Sequence, residues 1–307
     1  MRLALLFPGQ GAQRPGLLER LPQHPAVRAT LEEAARILNC DLARLDDAAA
    51  LRSTTAVQLA TVIAGVASAR ALIAEGVLAD AVAGLSVGAF TAAVTCEALA
   101  FADALHLVSL RGEAMTRAAP RGCGMTAILG LSERDAQRLV ARVSQRVPLY
   151  LASVNAPAEV VVSGEEAALA LAAQEAQARG AAARRLQVSI PSHCPLMQVV
   201  SQRLREAMST VHMREPQTPY VSNTRARIAA AGADIAEDLI LNASRTVRWH
   251  DSVTLLGELG CRLYIESPPG QVLSGLLQAA LPEARAVALD EVPLATAVTL
   301  ARRGPSS

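Results

Sequence analysis

Short apolar runs alternate along the chain with longer segments in which apolar residues recur every three or four positions. A continuous apolar run such as residues 3–7 is typical of a strand that is buried on both faces of a sheet. The same pattern predicts strands at residues 81–83, 220–222 and 263–266. Helices are predicted at residues 31–38, 57–74, 90–95, 102–118, 196–211, 235–241, 253–259 and 272–281. This alternation predicts an α/β domain whose parallel sheet is covered by helices on both faces.

The pattern changes between residues 120 and 190. Strands are predicted there at residues 125–129, 149–154, 160–162 and 183–188, and helices at 132–143, with Ser132 as N-cap, and 165–179. Their order, β-α-β-β-α-β, is the ferredoxin-like pattern. We therefore predict a ferredoxin-like small domain at residues 123–189, inserted in an α/β-hydrolase-like parallel-sheet domain formed by residues 1–122 and 190–307. The cleft between the two is expected to hold the substrate, and residues 302–307 are expected to fray.

Charge and composition narrow the function classes. The 29 basic and 28 acidic side chains give a net charge of +1, which gives no reason to expect a nucleic-acid partner. Every basic side chain is arginine, and the lack of lysine excludes Schiff-base chemistry, lysine-bound pyridoxal phosphate and a Walker-type phosphate loop. No membrane span is expected, because charged residues interrupt the apolar stretches before about 18 residues. The N-terminal apolar run has no small-residue cleavage site and is interpreted as a strand.

The five cysteines are scattered, with no C-x-x-C pair, and the five histidines show no metal-ligand spacing. We therefore expect no metal site. An odd, scattered set of cysteines favours reduced thiols and a cytoplasmic location.

Residues 84–88, Gly-Leu-Ser-Val-Gly, match the pattern G-x-S-x-G between a predicted strand and a predicted helix. The glycines allow a sharp turn that raises Ser86 to the helix N-terminus, where the backbone N–H of Val87 can face a developing oxyanion. A Gly/Ser-rich loop can match these five positions by chance. The strand-to-helix context favours a nucleophile at Ser86.

A serine nucleophile needs a base, and His193 is the favoured candidate. It lies in a loop bracketed by Pro191 and Pro195, where a side chain is better positioned for catalysis than on a helix surface. By composition alone a single histidine is more often structural, and that interpretation stays open. The other histidines lie in a surface-type loop, within a helix or near element ends: His24, His106, His212 and His250.

Arg111 lies on an otherwise apolar helix face. The residues that share this face are Ala104, Leu107, Val108 and Met115. A buried guanidinium needs an anion, and two interpretations stay open. The anion is either a structural partner such as Glu97 or Glu113, or the carboxylate of a substrate.

The loop at residues 9–13, Gly-Gln-Gly-Ala-Gln, follows the first strand. Its glycines let the backbone approach a ligand closely, and the N–H of Gln10 can complete an oxyanion hole. An ordinary strand-to-helix turn is the alternative interpretation.

Together these features resemble the malonyl-CoA:acyl carrier protein transacylase family. The segments that carry the resemblance are FPGQGAQ at residues 7–13, GLSVG at 84–88, RGEAM at 111–115, NAP at 155–157, VSIPSHCPLM at 188–197, VRW at 247–249 and ESPPG at 266–270. They cover nearly the whole chain. FPGQGAQRPG and GLSVGAF look most like the acyltransferase (epsilon) subunit of malonate decarboxylase.

The resemblance implies a role for each candidate residue. Ser86 would be the acylated nucleophile, and His193 its base and acid. Arg111 would bind the free carboxylate of the malonyl group. The backbone N–H groups of Gln10 and Val87 would form the oxyanion hole.

In this family a main-chain carbonyl orients the histidine, and we expect it near Leu259. No bound cofactor is implied; the substrates would be malonyl-CoA and the phosphopantetheine-type arm of an acyl carrier protein. Other malonate decarboxylase subunits are expected partners.

The alternatives to this function are a malonyl transacylase of fatty-acid or polyketide synthesis, a serine thioesterase or hydrolase, and a non-catalytic docking subunit. In this family the second position of the G-x-S-x-G turn is usually histidine, and Leu85 departs from that pattern.

Overall fold

The computed structural model describes residues 2–303 and contains two β-sheets with helices packed against them. The strands are β1 (Arg2–Phe7), β2 (Ala81–Gly84), β3 (Cys123–Leu129), β4 (Leu149–Ala156), β5 (Glu159–Glu165), β6 (Ala182–Arg185), β7 (Tyr220–Val221), β8 (Ile228–Ala229), β9 (Cys261–Glu266) and β10 (Arg285–Ala288). The helices are α1 (Pro25–Leu38), α2 (Thr54–Ala74), α3 (Gly88–Thr95), α4 (Phe101–Ala118), α5 (Glu133–Val143), α6 (Glu166–Gln177), α7 (Gln198–Met208), α8 (Gly232–Leu241), α9 (Trp249–Glu258), α10 (Val272–Ala280) and α11 (Leu294–Arg303). Short 3₁₀ turns occur at Leu42–Arg44, Ala50–Arg52 and Pro195–Met197.

The larger sheet has the strand order β10-β9-β1-β2-β7-β8. Its neighbours run parallel except β7 and β8, which are antiparallel. At the carboxyl end of β1, Phe7 pairs with Gly84 and Leu6 pairs with Glu266. Because three parallel strands end at this edge, the loops that follow β1, β2 and β9 lie side by side, where ligands bind in open α/β sheets.

Successive residues of β1 belong to opposite cores. Leu5 and Phe7 pack into one buried apolar cluster, and Ala4 and Leu6 pack into the other. This period-two alternation is what a strand covered on both faces produces. The predicted α/β architecture with a helix-covered parallel sheet is confirmed.

Helix α2 is long and apolar enough to cross a membrane, but 89% of that stretch is buried inside the protein. It is a core helix packed between α1, α3 and α4. Arg70 is the single charged residue of α2, and the uncharged run before it is residues 53–69, just under the length of about 18 residues considered from the sequence.

The second sheet has the strand order β4-β5-β3-β6, and all its neighbours are antiparallel. Helices α5 and α6 share a separate apolar cluster with it. Two backbone bonds join β4 to the segment before α9: Val154 N–H donates to the Val247 carbonyl at 2.9 Å, and Val247 N–H donates to the Ala152 carbonyl at 3.0 Å. Arg248 also donates to both carboxylate oxygens of Glu133, at 2.5 and 3.0 Å.

Element ends differ from the sequence prediction where a cap or a tertiary contact decides them. Helix α1 begins at Pro25, because the side chain of His24 accepts the N–H of Ala26 and caps it. The predicted Ser132 cap of α5 is confirmed, since its hydroxyl accepts the N–H of Asp135 at 3.2 Å.

Three elements were not predicted: β8, β10 and α11. Residues 302 and 303, expected to fray, end α11, where Arg302 donates to the backbone carbonyl of Glu75 at 2.5 Å. Residues 304–307 lie outside the described residues.

Candidate active site

Ser86 lies in the sharp turn between β2 and α3. Its φ of 56° is left-handed, which a non-glycine residue adopts rarely. The flanking glycines are required by close packing: a Cβ at Gly84 would lie 2.1 Å from the carbonyl carbon of Gly88, and a Cβ at Gly88 would lie 2.2 Å from the carbonyl oxygen of Phe7. The segment therefore has the geometry of a nucleophile elbow.

The loop after β1 packs directly against this elbow. A Cβ at Gly9 would lie 3.0 Å from Leu85 Cδ2 and 3.3 Å from Ser86 Cβ. Within residues 2–303, the backbone N–H groups of Gln10 and Val87 have no hydrogen-bond acceptor in the protein. Both N–H groups lie in the two turns that pack together here, and both remain available as donors to an oxyanion.

Arg111 is buried beside the serine, at 1% exposure. Its Nη2 donates to Ser86 Oγ at 3.2 Å and its Nη1 donates to Gln58 Oε1 at 2.7 Å, while its Nε has no partner among the described residues. Burial lowers the pKa of Arg111 to about 10, so the guanidinium stays charged at neutral pH.

Neither carboxylate considered from the sequence is the partner of Arg111. Glu113 pairs with Arg117 at 3.1 Å, and Glu97 forms no ion pair within residues 2–303. Two neutral oxygens are the acceptors of this cation. A buried cation that is hydrogen-bonded only to neutral oxygens can bind an anionic ligand.

Gln58 is a site residue that the sequence analysis missed. It lies on α2 with no exposed surface, accepts from Arg111, and donates from Nε2 to Gln10 Oε1 at 3.3 Å. It thereby connects the loop after β1 with the arginine. The available signal was an amide side chain within the long apolar helix α2.

His193 lies in the loop before α7, 7% exposed, with φ at 60°. Its side-chain Nδ1 lies 2.6 Å from the backbone carbonyl of Asn242, and its backbone N–H donates to the Ala243 carbonyl at 2.8 Å. Because a carbonyl only accepts, Nδ1 carries the proton and Nε2 is left as the acceptor.

The expectation that a carbonyl near Leu259 orients the histidine is wrong. The Leu259 carbonyl accepts from Arg2 at 2.7 Å, after α9. The loop after α8, and not the one after α9, packs against the histidine loop. This tertiary packing could not be predicted from the local sequence.

Burial, followed by the positive charge of Arg111, lowers the pKa of His193 to about 4, against the opposing effect of the Asn242 carbonyl. The imidazole is therefore neutral at physiological pH. A neutral imidazole whose Nδ1 is already bonded can accept a proton at Nε2.

The whole chain matches known acyltransferases. Residues 4–305 match the acyl transferase domain family. The protein is 34% identical to the malonyl CoA-acyl carrier protein transacylase of Bacillus subtilis over 297 residues, which covers 94% of each chain. It is 33% identical to that of Escherichia coli K12 over 306 residues, which covers 97% of this chain and 99% of the relative. The chain belongs to the malonyl-CoA:acyl carrier protein transacylase family.

Solved structures agree with this family. The acyl-carrier-protein S-malonyltransferase of Burkholderia pseudomallei superposes with a TM-score of 0.93 at 35% identity, covering 97% of this chain and all of that one. A malonyl-transacylase solved in complex with a type II polyketide synthase acyl-carrier protein also has a TM-score of 0.93, at 32% identity, covering 98% of this chain and 100% of that one.

Among residues 2–303, no other histidine or cysteine side chain forms a hydrogen bond to Ser86, Arg111 or His193. His24 caps α1 and lies 3.4 Å from Glu75. All five cysteines are free thiols, and Cys194, next to the base, donates to the Pro191 carbonyl at 3.0 Å. Residues 2–303 contain no group of three or more side chains able to hold a metal ion.

We predict that Gly88→Ala destroys the elbow, because the new Cβ would lie 2.2 Å from the Phe7 carbonyl oxygen. Thermal unfolding should shift to lower temperature, and the reaction of Ser86 with a sulfonyl fluoride should be lost. Gly275→Ala on α10 is the matched control, because its Cβ meets no atom within 4 Å and should leave both properties intact. An unchanged Tm and reactivity in Gly88→Ala would contradict the close packing.

The low pKa of His193 predicts an unusual pH dependence of acylation by p-nitrophenyl acetate, a neutral ester. The burst rate should stay constant from pH 8 to about pH 5 and fall only as pH approaches about 4, where the imidazole gains its proton. Arg111→Leu should move this acid limb upward, because the variant removes a positive charge that disfavours protonation. An acid limb near the ordinary histidine value of about 6.5 in the wild type would contradict the assignment.

Proposed function

We propose that this protein transfers a malonyl group from malonyl-CoA to the phosphopantetheine-type thiol of an acyl carrier protein through an ester on Ser86. The observation that carries this proposal is the buried Arg111 cation, which has no carboxylate partner among residues 2–303 and lies 3.2 Å from Ser86 Oγ. A thioester with a second carboxylate supplies both the electrophile for the serine and the anion for the arginine. The names of the relatives support the same substrates.

The first half-reaction forms the acyl-enzyme. His193 Nε2 takes the proton of the Ser86 hydroxyl, and Oγ attacks the thioester carbonyl. The N–H groups of Gln10 and Val87 stabilise the oxyanion. The C–S bond then breaks, and His193 returns the proton to the departing CoA sulfur.

The second half-reaction repeats these steps with the carrier thiol as nucleophile. His193 takes the thiol proton, the sulfur attacks the ester carbonyl, and Ser86 leaves with the proton from the imidazole. No bound cofactor takes part in either step.

Arg111 is proposed to select the acyl group. In the free protein its Nη2 donates to Ser86 Oγ and its Nη1 to Gln58. A malonyl carboxylate would accept two parallel N–H bonds from the same guanidinium, which satisfies the buried charge better than neutral oxygens do. An acetyl group has no second carboxylate, so the Arg111 guanidinium would keep only its neutral hydrogen-bond acceptors.

We infer that the acceptor is a carrier protein of fatty-acid or polyketide synthesis. The relatives described above include a transacylase bound to a polyketide carrier protein, and a type I polyketide synthase of Mycobacterium marinum is 35% identical over 299 residues, covering 94% of this chain and 14% of the synthase. These names do not support the predicted malonate decarboxylase context or its subunits as partners. With these substrates the proposed site of action is the cytoplasm.

The two sheets support a proposed division into two domains, the large one at residues 1–122 and 190–307 and the small one at 123–189. The order β4-β5-β3-β6 and the separate core of α5 and α6 support a ferredoxin-like small domain, and the elbow supports the hydrolase-like description of the large one. His193 follows directly on the return into the large domain. The acyl and pantetheine groups are proposed to lie in the cleft between them.

Malonyl-CoA without acceptor should add one malonyl mass to the peptide that contains Ser86, with release of one equivalent of CoA. Ser86→Ala should abolish both, because it removes the nucleophile. Peptide mass spectrometry and a thiol assay measure the two quantities. Continued CoA release without any thiol acceptor would favour a hydrolase instead.

Arg111→Ala should lose malonyl transfer and gain in relative acetyl transfer. Hydrogen bonds to charged groups contribute about 1.5–3 kcal/mol each, so two of them give a malonyl preference of about a hundredfold or more. The measurement is the ratio of kcat/KM for malonyl-CoA and acetyl-CoA.

Arg111→Lys is the matched control, since an ammonium keeps the charge but not the planar two-point contact, and it should restore the preference only in part. An unchanged ratio in Arg111→Ala would make Arg111 a structural residue.

A further inference from the structure

Two asparagine side chains hold the backbone of the nucleophile. The N–H of Ser86 donates to Asn223 Oδ1 at 2.9 Å, and Asn242 Nδ2 donates to the carbonyl of Ser86 at 2.9 Å. Both asparagines are buried, at 2% and 0% exposure. The strained turn at φ 56° is thus held on both sides by side chains from distant parts of the chain.

Asn223 is itself fixed. Its Nδ2 donates to the carbonyl of Gly84, and its backbone N–H donates to Asp238 Oδ2 at 2.9 Å. Asp238 also accepts from Tyr220 and from the backbone and hydroxyl of Thr224, at 2.7–2.9 Å. Asp238 lies on α8 and Asn242 directly follows that helix, so both contacts to Ser86 depend on α8.

Asn242 contacts the base as well as the nucleophile. Its backbone carbonyl accepts from His193 Nδ1, while its side chain donates to the Ser86 carbonyl. That carbonyl already accepts the N–H of Ala89 at 3.1 Å, as in an ordinary first helical turn. The asparagine bond is therefore a second one, and Asn242 Oδ1 remains buried with no partner among the described residues.

The second bond has a directional consequence. The carbonyl of Ser86 and the N–H of Val87 belong to one planar trans peptide, in which they point in opposite directions. A donor that fixes the carbonyl therefore fixes the direction of the N–H across the same plane. That N–H is the one assigned to the oxyanion.

We propose that the side chain of Asn242 is a positioning group that aims the Val87 N–H at the oxyanion, on the same residue whose main-chain carbonyl contacts His193. This rests on the proposed function for the identity of the acyl group, but not for the alignment itself. Asn242 acts on the rate of acylation and leaves substrate affinity unchanged, because it reaches the reacting atoms only through Ser86, Val87 and His193.

The test is rapid-quench acylation by malonyl-CoA, which separates the dissociation constant from the acylation rate. Asn242→Leu should lower the rate about 10- to 100-fold, as expected for a misdirected oxyanion donor, with the dissociation constant unchanged. The pH dependence should also stay unchanged, because the main-chain carbonyl that orients His193 remains. Asn242→Gln keeps a donor and should recover part of the rate.

Ser201→Ala is the matched control. It removes a buried hydrogen bond of 2.7 Å to Ser244 Oγ, and the Ser201 hydroxyl forms no hydrogen bond to Ser86 or His193 among the described residues. Its acylation rate should equal that of the wild type. If Asn242→Leu fails to fold, Asn242→Ala, which introduces no new bulk, carries the same expectation.

A rate within twofold of wild type in the folded Asn242 variant overturns the proposal, and so does a weaker affinity at unchanged rate. Burst acylation by p-nitrophenyl acetate separates this failure from failure of the proposed function. That ester needs the serine, base and oxyanion hole but no malonyl recognition. A wild type that reacts with the ester and not with malonyl-CoA refutes malonyl transfer, while the Asn242 variant still tests the alignment.

Discussion

A buried arginine without an acidic partner is the constraint on which the rest of the site depends. Arg111 is held by one amide oxygen and by the hydroxyl of Ser86, within residues 2–303. Burial and then the charge of Arg111 lower the pKa of His193, so the imidazole stays neutral, and in the proposed function the same charge binds the second carboxylate of the substrate. The proposed function thus connects the choice of substrate with the pKa of the candidate base through one cation, whose two side-chain acceptors in the free protein are both neutral.

The larger sheet brings these groups together. Parallel pairing of β1, β2 and β9 places the ends of three strands at one edge, and the glycine at position 88 lets the elbow close against Phe7. The arginine comes from α4 and the histidine from the loop after the small sheet. Ser86 lies within one turn, whereas the side chains around it come from distant parts of the chain.

The features that could be predicted from the sequence are those that local residue spacing and apolar periodicity determine. Ser86 follows from glycine spacing between strand and helix, and the α/β alternation follows from apolar periodicity. Gln58 and the Asn242 carbonyl were missed because their roles arise from packing between distant segments, and any residue offers a carbonyl. The Leu259 expectation failed for this reason, since the helix whose end faces His193 is decided by the tertiary fold.

The most direct test of the account is a crystal structure of the malonyl-enzyme formed in the absence of acceptor. The free carboxylate of the ester on Ser86 should accept two N–H bonds from Arg111, at about 2.7–2.9 Å. Arg111 Nη2 should then have exchanged its contact with Ser86 Oγ for the carboxylate. A carboxylate directed into solvent, with Arg111 still bonded only to neutral oxygens, would contradict the account.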